Sequence, residues 1–177
     1  MSRSLISTLC LTLAALCSLQ GQTATTNPLS TEAQQAWTRT MTNIIGAAEK
    51  MPEDAYAFKP TPESMSFRDL VAHTADAAMG TCSAFSGERK NAGAAQMQTK
   101  ADLAGALKTA QAECEKAYSS LTDAKAVEMI AGRMGTRSRL STLWGNTVHI
   151  EHEYAQMAVL LRLKGVVPPS TAARAPR

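Results

Sequence analysis

The chain has 177 residues, of which 45% are hydrophobic, 19% are charged and 5% are aromatic, and its formal net charge is +3. This length gives one domain with a sizeable core. The near-neutral charge, without a run of Lys and Arg interleaved with aromatic residues, excludes a typical nucleic-acid-binding surface, and the short cluster Glu88 to Lys90 is interpreted as a solvated loop. Abundant alanine and few aromatic residues favour closely packed helices over a β-sandwich.

Residues 1–24 have the pattern of a secretory signal peptide. Arg3 supplies a positive charge, and the uncharged apolar run from Leu5 to Leu19 is short for a membrane span. A lipoprotein signal ending at Cys17 is an alternative that Leu16 disfavours, because a small residue usually precedes that cysteine. We therefore expect a periplasmic or secreted mature protein that no membrane segment holds.

Cys82 and Cys114 are the cysteines that remain after removal of the signal peptide. In an oxidising compartment this pair favours a disulfide. The alternative is two buried thiols that pack as small hydrophobic side chains. No histidine lies at a helical spacing that would place it beside either cysteine, so neither is expected to be a nucleophile.

Apolar residues that recur at steps of three and four predict four amphipathic helices. The first helix is expected to begin at a capping box, Thr31 to Gln34, and to end at Lys50. The second is expected to begin after Ser66, with Asp69 in its first turn, and to stop near Gly87.

The third predicted helix begins after Thr99 and keeps its apolar stripe to Leu121. Residues 122–138 are predicted to be a loop with one helical turn at most. The fourth helix is expected to run from Leu140 to Lys164, followed by Gly165 as the left-handed C-cap.

The predicted fold class is therefore all-α, a four-helix bundle over residues 25–170 with a disordered tail, residues 171–177. Cys82 and Cys114 lie about 15 to 16 residues into the second and third helices. Parallel helices would place the cysteines at equal height, whereas antiparallel helices would separate them by roughly 12 to 15 Å, beyond the ~7 Å limit for a disulfide. The segment from Glu88 to Gln98 is long enough for the crossover that parallel helices require.

Two of the three histidines, His149 and His152, lie in the predicted fourth helix. His149 and Glu153 are one turn apart and share a helix face. His73 lies in the predicted second helix and could supply a further ligand across the bundle. Imidazole and carboxylate ligands together suit zinc, nickel or iron, so these residues are candidates for a metal site.

Three polar residues are candidates for supporting such a site. Asp76 lies one turn after His73 and could orient its imidazole, or it could be a solvated helix charge. Asn146 and Gln156 share the face of His149 and could hydrogen-bond a ligand or water, although buried amides more commonly satisfy backbone groups.

Four stretches of the sequence form a recognisable pattern: Met51–Glu63, Phe67–Asp76, His149 with Tyr154–Gln156, and Leu161–Pro169. Through these stretches the chain resembles the DinB/YfiT-like family, and its secreted branch in particular, from Gln35 to Ser170. The resemblance implies a bundle in which a long crossover joins parallel second and third helices, and which often forms a homodimer.

The metal site of that family consists of three histidines, of which His73 and His149 match two. Glu153 stands at the third position, and His152 lies one residue earlier. Three interpretations remain open: a site of His73, His149 and Glu153; a site of His73, His149 and His152, which needs a rotation of the fourth helix; or a lost metal site with two core histidines.

The resemblance implies one class of function, and the order His152-Glu153 in place of the third histidine leaves a second class open. The first is an exported enzyme, a hydrolase or transferase, whose divalent metal activates water or a low-molecular-weight thiol toward an unknown small molecule. Export disfavours the thiol reaction, because such thiols are cytosolic. The second is a non-catalytic bundle, a binding or stress-associated module that has lost its metal.

Overall fold

The computed structural model describes residues 26–132 and 135–174, so the predicted signal peptide lies outside the described residues. Four long helices form a bundle, which confirms the predicted all-α class. In chain order the elements are α1 (Pro28–Lys50), α2 (Phe67–Phe85), α3 (Lys100–Ser120), α4 (Asp123–Ala126), β1 (Met129–Gly132), β2 (Gly135–Ser138), α5 (Arg139–Leu163) and α6 (Pro169–Ala172), with 3-10 turns at Glu53–Ala55 and Ala94–Gln96.

The predicted caps of three helices are confirmed. Ser66 accepts a hydrogen bond from the amide of Asp69, whose side chain accepts one from the amide of Ser66, so α2 begins with a complete capping box. Thr99 caps α3 by accepting from the amide of Asp102. Gly165 follows α5 with a φ of +71°, the left-handed conformation that glycine adopts at low cost.

The predicted start of α1 at Thr31 is wrong, because the helix begins one turn earlier at Pro28. Proline suits the first helical position, where its missing N–H is not needed. The carboxylate of Asp123, from α4, accepts hydrogen bonds from the amides of Leu29 at 3.1 Å and Ser30 at 2.8 Å. A side chain distant in sequence therefore supplies hydrogen-bond acceptors to the free backbone amides of the first turn of α1.

The helical turn allowed within residues 122–138 is confirmed by α4, but the prediction of a loop over the rest of this segment is wrong. It contains an antiparallel hairpin in which Met129 pairs with Ser138 and Gly132 with Gly135. Most of the hairpin's described residues are exposed, so its sequence lacks the alternation of apolar and polar residues that identifies a half-buried strand.

Of the tail predicted to be disordered from residue 171, the structure describes residues 171–174, of which Thr171 and Ala172 belong to the turn α6, while residues 175–177 lie outside the described residues. The turn α6 is held to α5 because the hydroxyl of Tyr154 lies 2.7 Å from Ser170 Oγ and accepts from the Ser170 amide at 3.0 Å. Pro169 approaches α1 so closely that a Cβ added at Gly46 would lie 3.1 Å from its Cγ.

The predicted disulfide between Cys82 and Cys114 is confirmed, with Cα atoms 4.9 Å apart. This bridge joins the carboxyl-terminal part of α2 to that of α3. At the other end, Arg68 near the start of α2 donates to the carbonyl of Ala95 at 2.9 Å and to that of Met97, just before α3. The two helices therefore run parallel, joined by the crossover of residues 86–99, as predicted.

The core lies between the four long helices. Trp37 of α1 stacks on Tyr118 of α3 with ring centroids 4.8 Å apart. The largest fully buried side chains also include Phe67 of α2 and Ile150 of α5. In the part of the chain that the structure describes, no helix combines the length and apolar character needed to cross a membrane.

Candidate metal centre

Helices α2 and α5 bring His73, His149 and Glu153 together at the side of the bundle. One ligand atom from each of them lies within 4.8 Å of the others. The Nε2 atoms of the two histidines are 3.1 Å apart, and His73 Nε2 lies 3.9 Å from Glu153 Oε1. His149 and Glu153 meet because one helical turn separates them, whereas His73 reaches them through the packing of α2 on α5.

The three groups differ in exposure. The side chain of Glu153 is 7% exposed and that of His73 is 45% exposed. The carboxylate therefore lies inside the bundle and the imidazole of His73 opens to solvent. Burial lowers the pKa of His149, an effect that Glu153 opposes and that His73 and His152 reinforce. The lowered pKa favours the neutral imidazole, the protonation state that binds a metal.

The separations from His73 fit a divalent ion. Ligand atoms at ~2.0 to 2.2 Å from a common ion lie at most about 4.4 Å apart, and the distances from His73 to His149 and to Glu153, 3.1 and 3.9 Å, fall inside this limit. The third pair, His149 and Glu153, lies within the 4.8 Å that bounds the whole cluster. Gln156 donates from Nε2 to Glu153 Oε2 at 3.0 Å, so the other carboxylate oxygen is the one nearer His73. Hydrogen bonds of this kind orient metal-binding carboxylates.

His152 lies outside this cluster. It is exposed on α5, one residue before the buried Glu153, so its side chain leaves the helix on another face. The structure thus brings together the two-histidine, one-carboxylate set and does not bring together the three-histidine set.

Asp76 holds the crossover. Its two carboxylate oxygens accept hydrogen bonds from the amides of Ala94 at 3.0 Å and Ala95 at 3.1 Å, at the start of a 3-10 turn. The carboxylate therefore ties residues 86–99 to α2, and these two hydrogen bonds go to the backbone of the crossover instead of to His73.

Asn146 belongs to a buried hydrogen-bonded group at the level of the disulfide. Its Nδ2 lies 3.3 Å from the hydroxyl of Tyr118 and 3.7 Å from Cys82 Sγ. The same hydroxyl donates to the carbonyl of Leu143 at 2.6 Å and lies 2.8 Å from Thr147 Oγ1. Burial raises the pKa of Tyr118 to about 12, so its hydroxyl stays protonated as a donor.

A cavity of about 570 Å³ adjoins the two histidines, between α2, α5, the crossover and the hairpin. Arg89, Lys90 and Arg137 line it, and none of them was expected at the site. Arg89 and Lys90 belong to the segment interpreted as a solvated loop, and Arg137 belongs to the hairpin that the periodicity did not reveal. Their positions depend on how these two segments fold back over the helices.

The fold and the cluster define a class, a four-helix bundle with a candidate site for a divalent metal between its second and fourth long helices. The sequence profile of the DinB superfamily matches residues 36–157. The chain therefore belongs to the DinB superfamily, which confirms the resemblance found in its motifs.

Two solved structures share the fold. A DinB-like protein from Bacillus cereus ATCC 10987 is 19% identical with a TM-score of 0.63, over 77% of this chain and 93% of that one. A DinB-like protein, YjoA, from Bacillus subtilis is 21% identical with a TM-score of 0.61, over 76% and 92% of the two chains. None of the curated proteins matches this chain.

Proposed function

We propose that the protein binds a divalent metal ion through His73, His149 and Glu153 and is a metal-dependent hydrolase or transferase that acts on a small molecule. The observation that carries this proposal is the buried carboxylate of Glu153. Among the described residues, no Lys or Arg lies within 4.0 Å of it, and His73 is its only ion-pair partner. A buried carboxylate without a fixed positive partner is costly, and a bound cation would remove that cost.

The donor set and the cavity support an enzyme. Three protein ligands are the number found in catalytic zinc sites, whereas structural sites are closed by four. A divalent ion acts as a Lewis acid on its substrates. His73 and His149 form part of the cavity wall, and cavities of about 300 to 1,000 Å³ suit small organic ligands.

Export is part of the proposal. The disulfide between Cys82 and Cys114 supports it, because such bonds persist in oxidising compartments. Fractionation of cells that express the full chain tests it: a shortened protein in the periplasm or medium is expected, and a full-length cytosolic protein would contradict it.

Metal content tests the site directly. Zn²⁺ titration of the wild-type protein by calorimetry is expected to give one equivalent per chain. His149→Ala should abolish this binding, and His152→Ala, an exposed histidine of the same helix, is the matched control that should retain it. Equal, sub-stoichiometric Zn²⁺ in wild type and His149→Ala would overturn the metal site.

A second candidate function, a non-catalytic bundle, is favoured by the 3.1 Å separation of the histidine Nε2 atoms. At that distance two neutral imidazoles can hydrogen-bond each other without a metal. This alternative predicts an unchanged melting temperature after chelation. A bound metal would instead raise stability by about 4 kcal/mol when its concentration is ~1,000 times the Kd.

A further inference from the structure

The cavity beside the histidines carries an excess of positive charge. Its lining includes three cationic side chains, Arg89, Lys90 and Arg137, and one carboxylate, Asp76. Asp76 already accepts two backbone hydrogen bonds from the crossover. Lys90 lies 3.4 Å from Glu113, so a fixed carboxylate offsets its charge. The two arginines, in contrast, have no carboxylate within 4.0 Å among residues 26–132 and 135–174.

Arg89 is positioned against the backbone of α2. Its Nη1 donates to the carbonyl of Gly80 at 3.3 Å, and a Cβ added at Gly80 would lie 2.9 Å from its Nη2. The absence of a side chain at position 80 thus admits the guanidinium. Because a single carbonyl uses one of its five N–H donors, most of the guanidinium remains available to a ligand.

Arg137 reaches the same cavity from the hairpin. It pairs with Ile130 across the two strands, and its Nη1 would lie 4.0 Å from a Cβ added at Gly145 of α5. The cavity therefore has one arginine beside a glycine of α2 and another beside a glycine of α5. Two guanidinium groups that line one cavity are suited to a carboxylate or phosphate, which each can bind in a bidentate manner.

The rest of the lining is largely apolar. Phe85 of α2 and Ile130 of β1 provide the large apolar side chains, alanines and glycines provide the small residues, and two threonines and two asparagines add polar groups. A ligand that fills this space would therefore have an apolar body as well as a charged group.

We propose that this cavity binds a small organic anion, with its carboxylate or phosphate on Arg89 and Arg137 and its apolar body against Phe85 and Ile130. The proposal names the substrate class of the site beside His73 and His149 and in that respect rests on the proposed function. The arginine contacts themselves need no metal, so the two proposals can fail separately.

Calorimetric titration with phenyl phosphate, benzoate and neutral benzamide tests the proposal. The proteins are wild type, Arg137→Gln, the double variant Arg89→Gln/Arg137→Gln, and Lys125→Gln as a control that changes an exposed cation outside the cavity. The first titrations contain excess EDTA. At least one of the two anions should bind wild type and Lys125→Gln with equal affinity. Its affinity should fall about tenfold for each arginine that is replaced. The affinity of neutral benzamide should be the same in all four proteins.

Arg137 is exposed on the hairpin, so Arg137→Gln is expected to fold and keeps the test valid if the double variant does not. The proposal is overturned if neither anion binds wild type at millimolar concentration, or if Arg137→Gln binds the anions as tightly as wild type does. A preference for phenyl phosphate or for benzoate identifies the charged group of the ligand.

Zn²⁺ titration of the same proteins separates the two proposals. Arginine-dependent anion binding in a protein that takes up no Zn²⁺ would support the anion cavity and overturn the metal site. Stoichiometric Zn²⁺ binding, together with anion affinity that is unchanged in both arginine variants, would support the metal site and overturn the anion cavity. If both proposals hold, the arginine variants retain their Zn²⁺ affinity.

Discussion

Two polar groups on α5 differ in what surrounds them. Asn146 and Thr147 meet Tyr118 in the interior, where the tyrosine hydroxyl contacts both side chains and the carbonyl of Leu143. One turn later, His149 and Glu153 meet His73 at the edge of a cavity. In the first group the hydroxyls of Tyr118 and Thr147 and the amide nitrogen of Asn146 find partners within the protein, whereas Asn146 Oδ1 is buried without a hydrogen-bond partner among the described residues. The second leaves an exposed imidazole and a buried carboxylate that lacks a Lys or Arg partner among the described residues.

The comparison shows that position on a helix face does not separate packing residues from ligand-binding ones. Asn146 and His149 were expected on the same face, and both line the cavity. The distinction lies in charge. A neutral polar group whose donors bond neighbouring helices is structural, even where one acceptor such as Asn146 Oδ1 stays unpaired, whereas an uncompensated charge beside a cavity is available to a ligand.

Loss of the disulfide should have the largest effect on the free energy of unfolding. It should not affect metal binding, because the bridge lies beside the interior group of Asn146 and Tyr118. The cysteines are separated by 32 residues, for which the chain-entropy relation gives a destabilisation of about 3.7 kcal/mol in Cys82→Ala/Cys114→Ala. Denaturant unfolding under non-reducing conditions measures this change. Zn²⁺ stoichiometry at a temperature where the variant is folded should be unaffected, and unchanged unfolding free energy would contradict the structural role.

Glu153→Gln should have the opposite pattern. Replacement of the buried carboxylate is expected to weaken Zn²⁺ binding by about 100-fold, since removal of even an outer-shell partner costs 10- to 100-fold. The metal-free variant should be as stable as wild type or more stable, because a neutral amide is less costly to bury. Calorimetry and chelator-treated unfolding measure the two effects, with the exposed Glu151→Gln as control. Equal Zn²⁺ affinity in both variants would remove Glu153 from the site.

Tyr118→Phe tests the buried group in isolation. Loss of the hydroxyl leaves the carbonyl of Leu143 and the amide of Asn146 with fewer partners, which should cost about 1 to 3 kcal/mol of unfolding free energy. Tyr154→Phe is the matched control, because its hydroxyl bonds a half-buried serine near the surface and should cost less. A larger loss in Tyr154→Phe, or altered Zn²⁺ affinity in Tyr118→Phe, would contradict the division between the two groups.

The parts of the molecule that could be predicted depend on local sequence. The caps at Ser66 and Thr99 and the proximity of His149 to Glu153 involve residues three or four positions apart, and helical periodicity determines such contacts. The two cysteines outside the predicted signal peptide favoured a disulfide, and their similar depths within two helices showed that such a bridge requires those helices to run parallel.

The features that could not be predicted depend on contacts between distant residues. Asp123 caps α1 across a separation of 93 residues, at the Ser30 amide. The exposed hairpin brings Arg137 to the cavity without an apolar pattern that would mark its strands. No spacing in a single sequence distinguishes these residues from solvated charges on a loop.

Asp76→Asn should have the smallest effect. It tests whether Asp76 supports the crossover or the metal site. Asparagine can accept only through its carbonyl oxygen, so one of the two bonds to the amides of Ala94 and Ala95 is lost. We expect a destabilisation of about 1 kcal/mol and unchanged Zn²⁺ affinity. Hydrogen exchange should accelerate at the amides of residues 94 and 95 and not in α5. A tenfold loss of Zn²⁺ affinity with these amides still protected would contradict this expectation. It would mean that Asp76 acts on the ligand His73, because the crossover itself would then be unchanged.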